Sequence, residues 1–253
     1  MEKKCKVFKI ITESDYDGAS AVAADIIADF VVANPTGVLG LATGSTPEGA
    51  YAKLIEAHRA GKADFSGITS FNLDEYHPIE RANSQSYTYY MREKLFNHIN
   101  INPVNAHLPN GEAADPRAEC AEYEAKIAAT GGIGLQLLGL GLNGHIGFNE
   151  PGTTFPKTTH HVALDPSTIA ANARFFDSAE QVPKHAITMG IGTIFAAKEI
   201  LLMVTGAAKA DIIERAMFGE ITPQLPASIL QLHSNVTLVM DAAAAMKVVA
   251  RLI

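Results

Sequence analysis

The chain alternates between segments with apolar residues at helical spacing and short runs that are continuously apolar. In 18–33, for example, Val22, Ile26 and Phe30 recur every fourth residue, which is typical of an amphipathic helix. The apolar runs predict buried strands over 7–11, 38–42, 68–73, 135–140, 200–204 and 236–240. The segments between them predict helices over 18–33, from 47 onward, 84–99, about 116–129, 207–218 and the Ala-rich C-terminal segment.

Strands that are apolar throughout and separated by helices indicate a parallel sheet covered on both faces. We therefore predict an α/β fold, a doubly wound and mainly parallel sheet with helices on both faces, as a single domain spanning 1–253. Two helix starts carry capping signals. Thr46 is predicted as the N-cap of the second helix with Pro47 at its first position, and Asp115-Pro116 caps the helix that ends near 129.

Three polar, Gly-rich segments leave predicted strand ends, at 43–47, 74–79 and 141–152. In open parallel sheets, ligands bind beyond the carboxyl ends of the strands. The sequence therefore predicts that these three segments are loops that line one site.

Composition narrows the class of ligand. The chain has 253 residues, 47% hydrophobic and 19% charged, with a formal net charge of −7 and no basic block, which argues against a nucleic-acid or membrane-surface partner. Cys5 and Cys120 form neither a disulfide framework nor a metal motif, so we expect a reducing cytoplasm. An anionic substrate would have to be held by a few local groups.

The segment Leu41-Ala42-Thr43-Gly44-Ser45-Thr46-Pro47 lies between a strand and a helix. Free N–H groups and small hydroxyl side chains at a helix start form an anion site, here Thr43, Gly44, Ser45 and Thr46. The Gly-Lys-Ser/Thr ending of a nucleotide P-loop is missing, which disfavours ATP and GTP. An ordinary capped helix remains the alternative.

The segment 139–144 reads G-x-G-x-x-G, and Asp165 lies downstream where a ribose-binding acid would stand. A dinucleotide site also needs a helix that opens at the third glycine. Gly147, Pro151 and Gly152 prevent one, so we reject a Rossmann site.

Asn143, His145 and Glu150 lie within eight residues of this loop. A carboxylate that orients and charges an imidazole gives a general base for neutral pH. One His and one carboxylate are too few ligands for a metal, so we expect neither metal nor cofactor. A purely structural histidine is the alternative.

Asp74 and Glu75 end an apolar strand and are candidates for an acid/base with a raised pKa, the alternative being a solvated turn. Arg174 and Lys209 are placed to bind a phosphate, although either could be a solvated surface residue.

Together these motifs resemble the glucosamine-6-phosphate deaminases, also called glucosamine-6-phosphate isomerases, from about residue 7 to 242. The resemblance rests on the segments at 41–47, 72–76, 85–87, 139–152, 171–176, 206–210 and 225–230. It implies conversion of glucosamine 6-phosphate and water to fructose 6-phosphate and ammonia, in amino-sugar catabolism.

The resemblance also implies roles. Asp74 would accept the proton in enolisation. His145, assisted by Glu150 and Asn143, would open the sugar ring. The sugar phosphate would be surrounded by Thr43, Gly44, Ser45, Thr46, Arg174 and Lys209.

Two departures from the family stand out. Some members carry Asp where this chain has Asn143, and an amide can orient the imidazole only through a hydrogen bond. His77-Pro78-Ile79 replaces the usual Val-Gly-Leu.

Three other functions stay open. A galactosamine-6-phosphate deaminase would share the Asn-Gly-His and Asn-Glu-Pro elements. A 6-phosphogluconolactonase would be expected to carry Ser-Leu-Phe-Pro after the histidine, and a sugar-phosphate sensor should carry a DNA-binding segment ahead of the domain. The sequence leaves the oligomeric state open, monomer or homo-oligomer.

Overall fold

The computed structural model describes residues 8–173, 176, 178 and 181–252, and only the backbone of residues 167, 171 and 172. The strands in this part of the chain are Phe8–Glu13 (β1), Val38–Leu41 (β2), Thr69–Asn72 (β3), Asp74–His77 (β4), Ala106–His107 (β5), Leu135–Leu138 (β6), His160–Ala163 (β7), His185–Thr188 (β8), Glu199–Val204 (β9) and Val236–Asp241 (β10). The α-helices are Tyr16–Ala33 (α1), Glu48–Arg59 (α2), Tyr87–Lys94 (α3), Pro116–Ala129 (α4), Pro166–Asn172 (α5), Ile191–Phe195 (α6), Ala210–Phe218 (α7) and Ala242–Leu252 (α8).

Seven strands form the main sheet, in the order β1-β10-β9-β6-β2-β3-β5, and every neighbouring pair is parallel. Every residue of β2 and of β6 is buried, which requires cover on both faces because successive side chains point to opposite sides. The predicted α/β fold with a mainly parallel sheet is confirmed.

The strand order reverses between β2 and β6, which are neighbours in the sheet. From β2 the chain proceeds to β3 and β5 on one side, and from β6 it proceeds to β9 and β10 on the other. The loops that leave β2 and β6 therefore diverge and open a crevice between them, at the topological switch point where α/β sheets bind ligands.

A second sheet, β4-β8-β7, is antiparallel and lies beside the end of β3. The main-chain N–H of Met189, just after β8, donates to the carbonyl of Leu73, just after β3, at 2.7 Å. The prediction that 74–79 is a loop is therefore wrong for its first four residues. Pairing with β8 makes Asp74–His77 a strand, and no local pattern in the sequence indicates that partner.

Some element boundaries also differ from the sequence prediction. Thr46 does not cap α2: the helix begins at Glu48, and Pro47 is its N-cap with no side-chain hydrogen bond. Residues 44–47 instead form bends, which keeps them outside the helix. Asp115 caps α4 as predicted, accepting from the N–H groups of Arg117 and Ala118.

Two further elements are shorter than predicted. Ser86 caps α3, so the helix begins later than 84, and it ends at Lys94 before a short 3-10 turn. The strand β6 ends at Leu138 rather than 140, which leaves Gly139 and Leu140 to the wall of the crevice. Within the described residues, no helix is long and apolar enough to cross a membrane.

Gly190, the N-cap of α6, packs closely against the main chain of Thr158. A Cβ at this position would lie 2.6 Å from the main-chain N and 2.7 Å from the carbonyl C of Thr158. Backbone cannot move aside as a side chain can, so Gly190→Ala should lower the free energy of unfolding by about 1–3 kcal/mol, measured by urea denaturation.

Gly152→Ala is the matched control, because its added Cβ would meet nothing closer than 3.6 Å. This variant should stay within about 0.5 kcal/mol of the parent protein. Equal effects of the two substitutions would contradict the proposed backbone collision.

Candidate active site

A cavity of about 350 Å³ opens at the carboxyl ends of the strands around the switch point. This volume lies within the range of small-molecule sites. Its walls are formed by Ala42, Thr43, Gly44, Ser45, Thr46, Leu73, Asp74, Tyr87, Gly139, Leu140, Gly141, Leu142, Asn143, His145, Gly147, Phe148, Thr168 and Lys209. All three predicted segments reach it, although 74–79 contributes only Asp74.

The segment 43–46 forms one wall, and Lys209 follows β9 on another. The Lys209 ammonium group donates to the carbonyl of Leu140 at 2.5 Å. Burial lowers the pKa of Lys209 to about 8. A partly desolvated cation in the same cavity as a loop whose N–H groups donate to no other described residue suits an anionic group.

Asp74 is buried, with 6% of its surface exposed. No residue in the described part of the chain donates a hydrogen bond to its carboxyl group. Burial, with a smaller contribution from the charge of Glu75, raises the pKa of Asp74 to about 8. A carboxyl group poised near neutral pH in a cavity is a candidate acid/base.

Glu75 has a different environment, although it is the next residue. Its carboxylate accepts from the N–H groups of Tyr87 and Thr88, both at 2.8 Å, and from the Thr88 hydroxyl group. Burial raises the pKa of Glu75, and these donors oppose the rise. Glu75 therefore anchors the start of α3 beside the cavity, and the alternative of a solvated turn at 74–75 is wrong.

Gly147 brings the loop after β6 close to Asp74. Its φ of +59° is in the left-handed region that favours glycine. A Cβ at this position would lie 2.9 Å from Thr188 Oγ1 and 3.5 Å from Asp74 Oδ2. The close approach therefore needs a residue without a side chain.

His145 lies in the loop after β6, lines the cavity and contacts Glu150. Its Nδ1 is 3.2 Å from Glu150 Oε2, and the two side chains are 24% and 11% exposed. Glu150 also accepts from Asn143 Nδ2 at 2.5 Å and from the Thr168 hydroxyl group at 2.5 Å.

Burial alone would raise the pKa of Glu150, but the hydrogen bond and charge attraction of His145 and the hydrogen bonds of Thr168 and Asn143 hold it at about 2. The carboxylate therefore stays ionised and presents a negative charge to the imidazole ring.

Asn143 acts differently from the sequence expectation, in which its amide orients the imidazole ring. Its Nδ2 donates to Glu150, and its Oδ1 accepts from the main-chain N–H of His145 at 3.1 Å. The amide thus fixes the carboxylate and the loop backbone, and the ring is oriented by Glu150.

Of the other predicted site residues, all except Arg174 lie in or next to the cavity. Thr43, Gly44, Ser45, Thr46 and Lys209 line the cavity, and Glu150 stands behind His145. Arg174 lies outside the described residues, so its predicted contact with a phosphate stays a prediction.

Sequence reasoning missed Thr168 and gave Tyr87 no role. A lone threonine carries no local signal, since only the fold brings α5 to Glu150. Among the described residues, no three His, Cys, Asp or Glu side chains are grouped as metal ligands would be.

Two relatives with high sequence identity are named glucosamine-6-phosphate deaminase. The protein from Clostridioides difficile (strain 630) is 54% identical over 94% of this chain and 96% of its own length. The protein from Lachnoclostridium phytofermentans is 55% identical over 91% of this chain and 98% of its own length.

Solved structures agree with the sequence comparison. A monomeric glucosamine-6-phosphate deaminase superposes with a TM-score of 0.92 at 46% identity, covering 94% of this chain and 99% of that one. The 6-phosphogluconolactonase from Trypanosoma cruzi has a TM-score of 0.76 at 20% identity, covering 95% and 97%, which shows a shared fold alone. The family model of glucosamine-6-phosphate isomerases/6-phosphogluconolactonase matches residues 15–239. On this match and these identities, the chain belongs to that family.

Proposed function

We propose that this protein is an enzyme that isomerises and deaminates glucosamine 6-phosphate, giving fructose 6-phosphate and ammonia. One observation carries the proposal: a single cavity joins a buried carboxyl group, a separate imidazole–carboxylate pair and an anion-binding loop. An aldose-to-ketose conversion with ring opening needs these three parts. Relatives of this name at 54% and 55% identity support the same reaction.

Asp74 is the base of the enolisation step. It takes the proton from C2 of the open-chain sugar and returns it at C1. O1 gains the proton that the ammonium group loses, so the C1 carbonyl becomes an alcohol and an imine is left at C2. Burial, with no donor among the described residues, makes the carboxylate a stronger base than an exposed one. The protonated amino group of the substrate would favour the ionised form when it binds nearby.

His145 opens the pyranose ring by moving the proton between the C1 hydroxyl group and the ring oxygen. Glu150 holds the imidazole at 3.2 Å and supplies the negative charge that stabilises its protonated form. Asn143 and Thr168 fix this carboxylate from two other directions. The two proton transfers therefore use separate groups, Asp74 and His145, which both line the cavity.

The phosphate group is a remote handle that positions C1 and C2. It is bound by the N–H groups and hydroxyl side chains of 43–46 and by Lys209, with Arg174 as a further predicted ligand.

Water then adds to the imine carbon, and ammonia leaves as the C2 carbonyl group forms. We place this amino-sugar breakdown in the cytoplasm, since Cys120 is a free thiol.

Ammonia release distinguishes this function from the alternatives. Purified protein pretreated with a chelator should release ammonia from glucosamine 6-phosphate, and much less from galactosamine 6-phosphate. Preference for the galactose epimer would reassign the substrate. Hydrolysis of 6-phosphogluconolactone without ammonia release would reassign the reaction, and binding without turnover would indicate a sensor.

Asp74→Asn should lower kcat by about 10²- to 10⁴-fold, because an amide cannot accept the C2 proton. Retention of a large share of turnover would contradict the assignment of the base. Inorganic phosphate should bind as in the parent protein, which checks that the cavity is intact.

The same variant should change the pH dependence of stability. The pKa of Asp74 is raised to about 8 from 3.8, so the folded state favours the protonated carboxyl group. The contribution of this group to the free energy of unfolding is full below pH 3.8 and is lost as the pH rises through 8. Relative to the parent protein, Asp74→Asn should therefore be more stable at pH 9 than at pH 5, measured by urea unfolding.

Glu150→Gln should lower kcat by at least about tenfold, equivalent to roughly 1.4 kcal/mol of barrier. The amide removes the charge that stabilises protonated His145 and turns a donor toward Asn143 or Thr168. Thr168→Val removes one hydrogen bond but keeps the charge, so its effect should be smaller. An inverse order in steady-state kinetics across pH 6 to 9 would show that charge is not the contribution of Glu150.

Lys209→Ala should raise KM by about 10- to 100-fold, the effect of losing a hydrogen bond from a charged group. Because the pKa of Lys209 is about 8, KM of the parent protein should rise above that pH. Lys209→Arg, whose charge persists, should show a flatter KM profile there.

Lys198 is the matched control, since it is exposed and lies at the opposite end of β9. Lys198→Ala should leave KM unchanged. If it raised KM as much as Lys209→Ala, the effect would come from overall charge.

A further inference from the structure

Three tyrosine hydroxyl groups meet the main-chain carbonyls of the loop after β2. Tyr51 donates to Ala42 O at 2.5 Å, and Tyr90 donates to Gly44 O at 2.7 Å. Tyr16 donates to Ser45 O at 3.0 Å, with Thr46 O at 3.2 Å. The three phenols come from α2, α3 and α1, so three separate helices hold one short loop.

These bonds fix the direction of the loop's N–H groups. In a trans peptide the carbonyl of one residue and the N–H of the next point to opposite sides of the chain. A tyrosine that binds the carbonyls of Ala42, Gly44 or Ser45 therefore turns the N–H of the following residue the other way. Those are the N–H groups of Thr43, Ser45 and Thr46, all on cavity-lining residues.

The N–H groups of 43–46 donate to no acceptor in the described residues, whereas the carbonyls of 42 and of 44–46 are all occupied. A carbonyl oxygen that turned into the cavity would repel an anion. The tyrosines thus hold the partial negative charges away and leave the partial positive charges for the ligand.

Tyr16 has a second contact that extends its role. Its hydroxyl group accepts from the N–H of Gly49 at 2.8 Å, the second residue of α2. An N-cap side chain usually accepts a hydrogen bond from an N–H group at this position. Pro47 cannot do so, and the Tyr16 hydroxyl group accepts that bond instead. A Cβ at position 49 would lie 2.9 Å from Tyr16 Cε1, so the ring rests directly on the backbone.

We propose that Tyr16, Tyr51 and Tyr90 are positioning residues that orient the peptide N–H groups of Thr43, Ser45 and Thr46 for the substrate phosphate. The proposal rests on the phosphate-binding role that the proposed function gives to this loop. A phenol suits the task because it donates without adding charge. Burial raises the pKa of both Tyr51 and Tyr90, so they remain neutral donors throughout the working pH range.

The test is substitution of each tyrosine by phenylalanine, which removes only the hydroxyl group. Inorganic phosphate is the probe, and calorimetry gives its Kd for the parent protein and each variant. Each substitution should raise that Kd and the KM for glucosamine 6-phosphate by about 3- to 10-fold. The kcat should change by less than about twofold, because uniform binding is what is lost.

Two matched variants separate positioning from loss of stability. Tyr123→Phe removes a buried hydroxyl group that binds the carbonyls of Asn72 at 2.8 Å and His107 at 3.2 Å, away from the loop. It should lower Tm as Tyr51→Phe does and leave the phosphate Kd unchanged. Tyr89→Phe changes an exposed ring on the same helix as Tyr90 and should change neither quantity.

The outcomes distinguish this inference from the proposed function. If the parent protein binds phosphate and the three variants bind it equally well, the positioning role is wrong and the proposed function stands. If the parent protein does not bind phosphate, the phosphate site and this inference both fall. Tyr16 is 38% exposed, so Tyr16→Phe keeps the test decisive even if Tyr51→Phe does not fold.

Discussion

The parallel pairing of β2 with both β3 and β6 is the constraint on which the site depends. Since the chain proceeds to opposite sides of the sheet from β2 and from β6, the loops beyond them cannot cover one another. The crevice between them holds Asp74, the first residue of β4, and His145 in the loop after β6. The second sheet closes this region through the bond from Met189 to Leu73.

Within the crevice, the environment rather than the residue type separates two carboxyl groups. Asp74 is buried, no donor to its carboxyl group lies in the described part of the chain, and its pKa is raised to about 8. Glu150 has hydrogen-bond partners in Asn143, His145 and Thr168, and its pKa is held at about 2. Environments that move two such pKa values apart allow one group to exchange protons and the other to remain a fixed charge. The proposed enolisation and ring opening need this division.

Much of the fold and part of the site could be predicted from the sequence, because both depend on local patterns. Continuous apolar runs predicted the parallel strands, and the loops that follow β2 and β6 were identified from their polar, Gly-rich composition. The strand Asp74–His77 and the contact of Thr168 with Glu150 could not be predicted. Each depends on a partner that is distant in the chain, and nothing in the neighbouring residues specifies which partner it will be.

The class of fold, the family resemblance and the residue types that the chemistry requires can all be identified from the order of the amino acids. How those residues are used depends on the tertiary structure. It made Glu75 an anchor of α3 while its neighbour Asp74 faces the cavity, and it turned the Asn143 amide toward Glu150 instead of the imidazole. It also brought three tyrosines onto one loop. Burial and hydrogen-bond partners arise from packing between elements, whereas periodicity and turn chemistry are properties of adjacent residues.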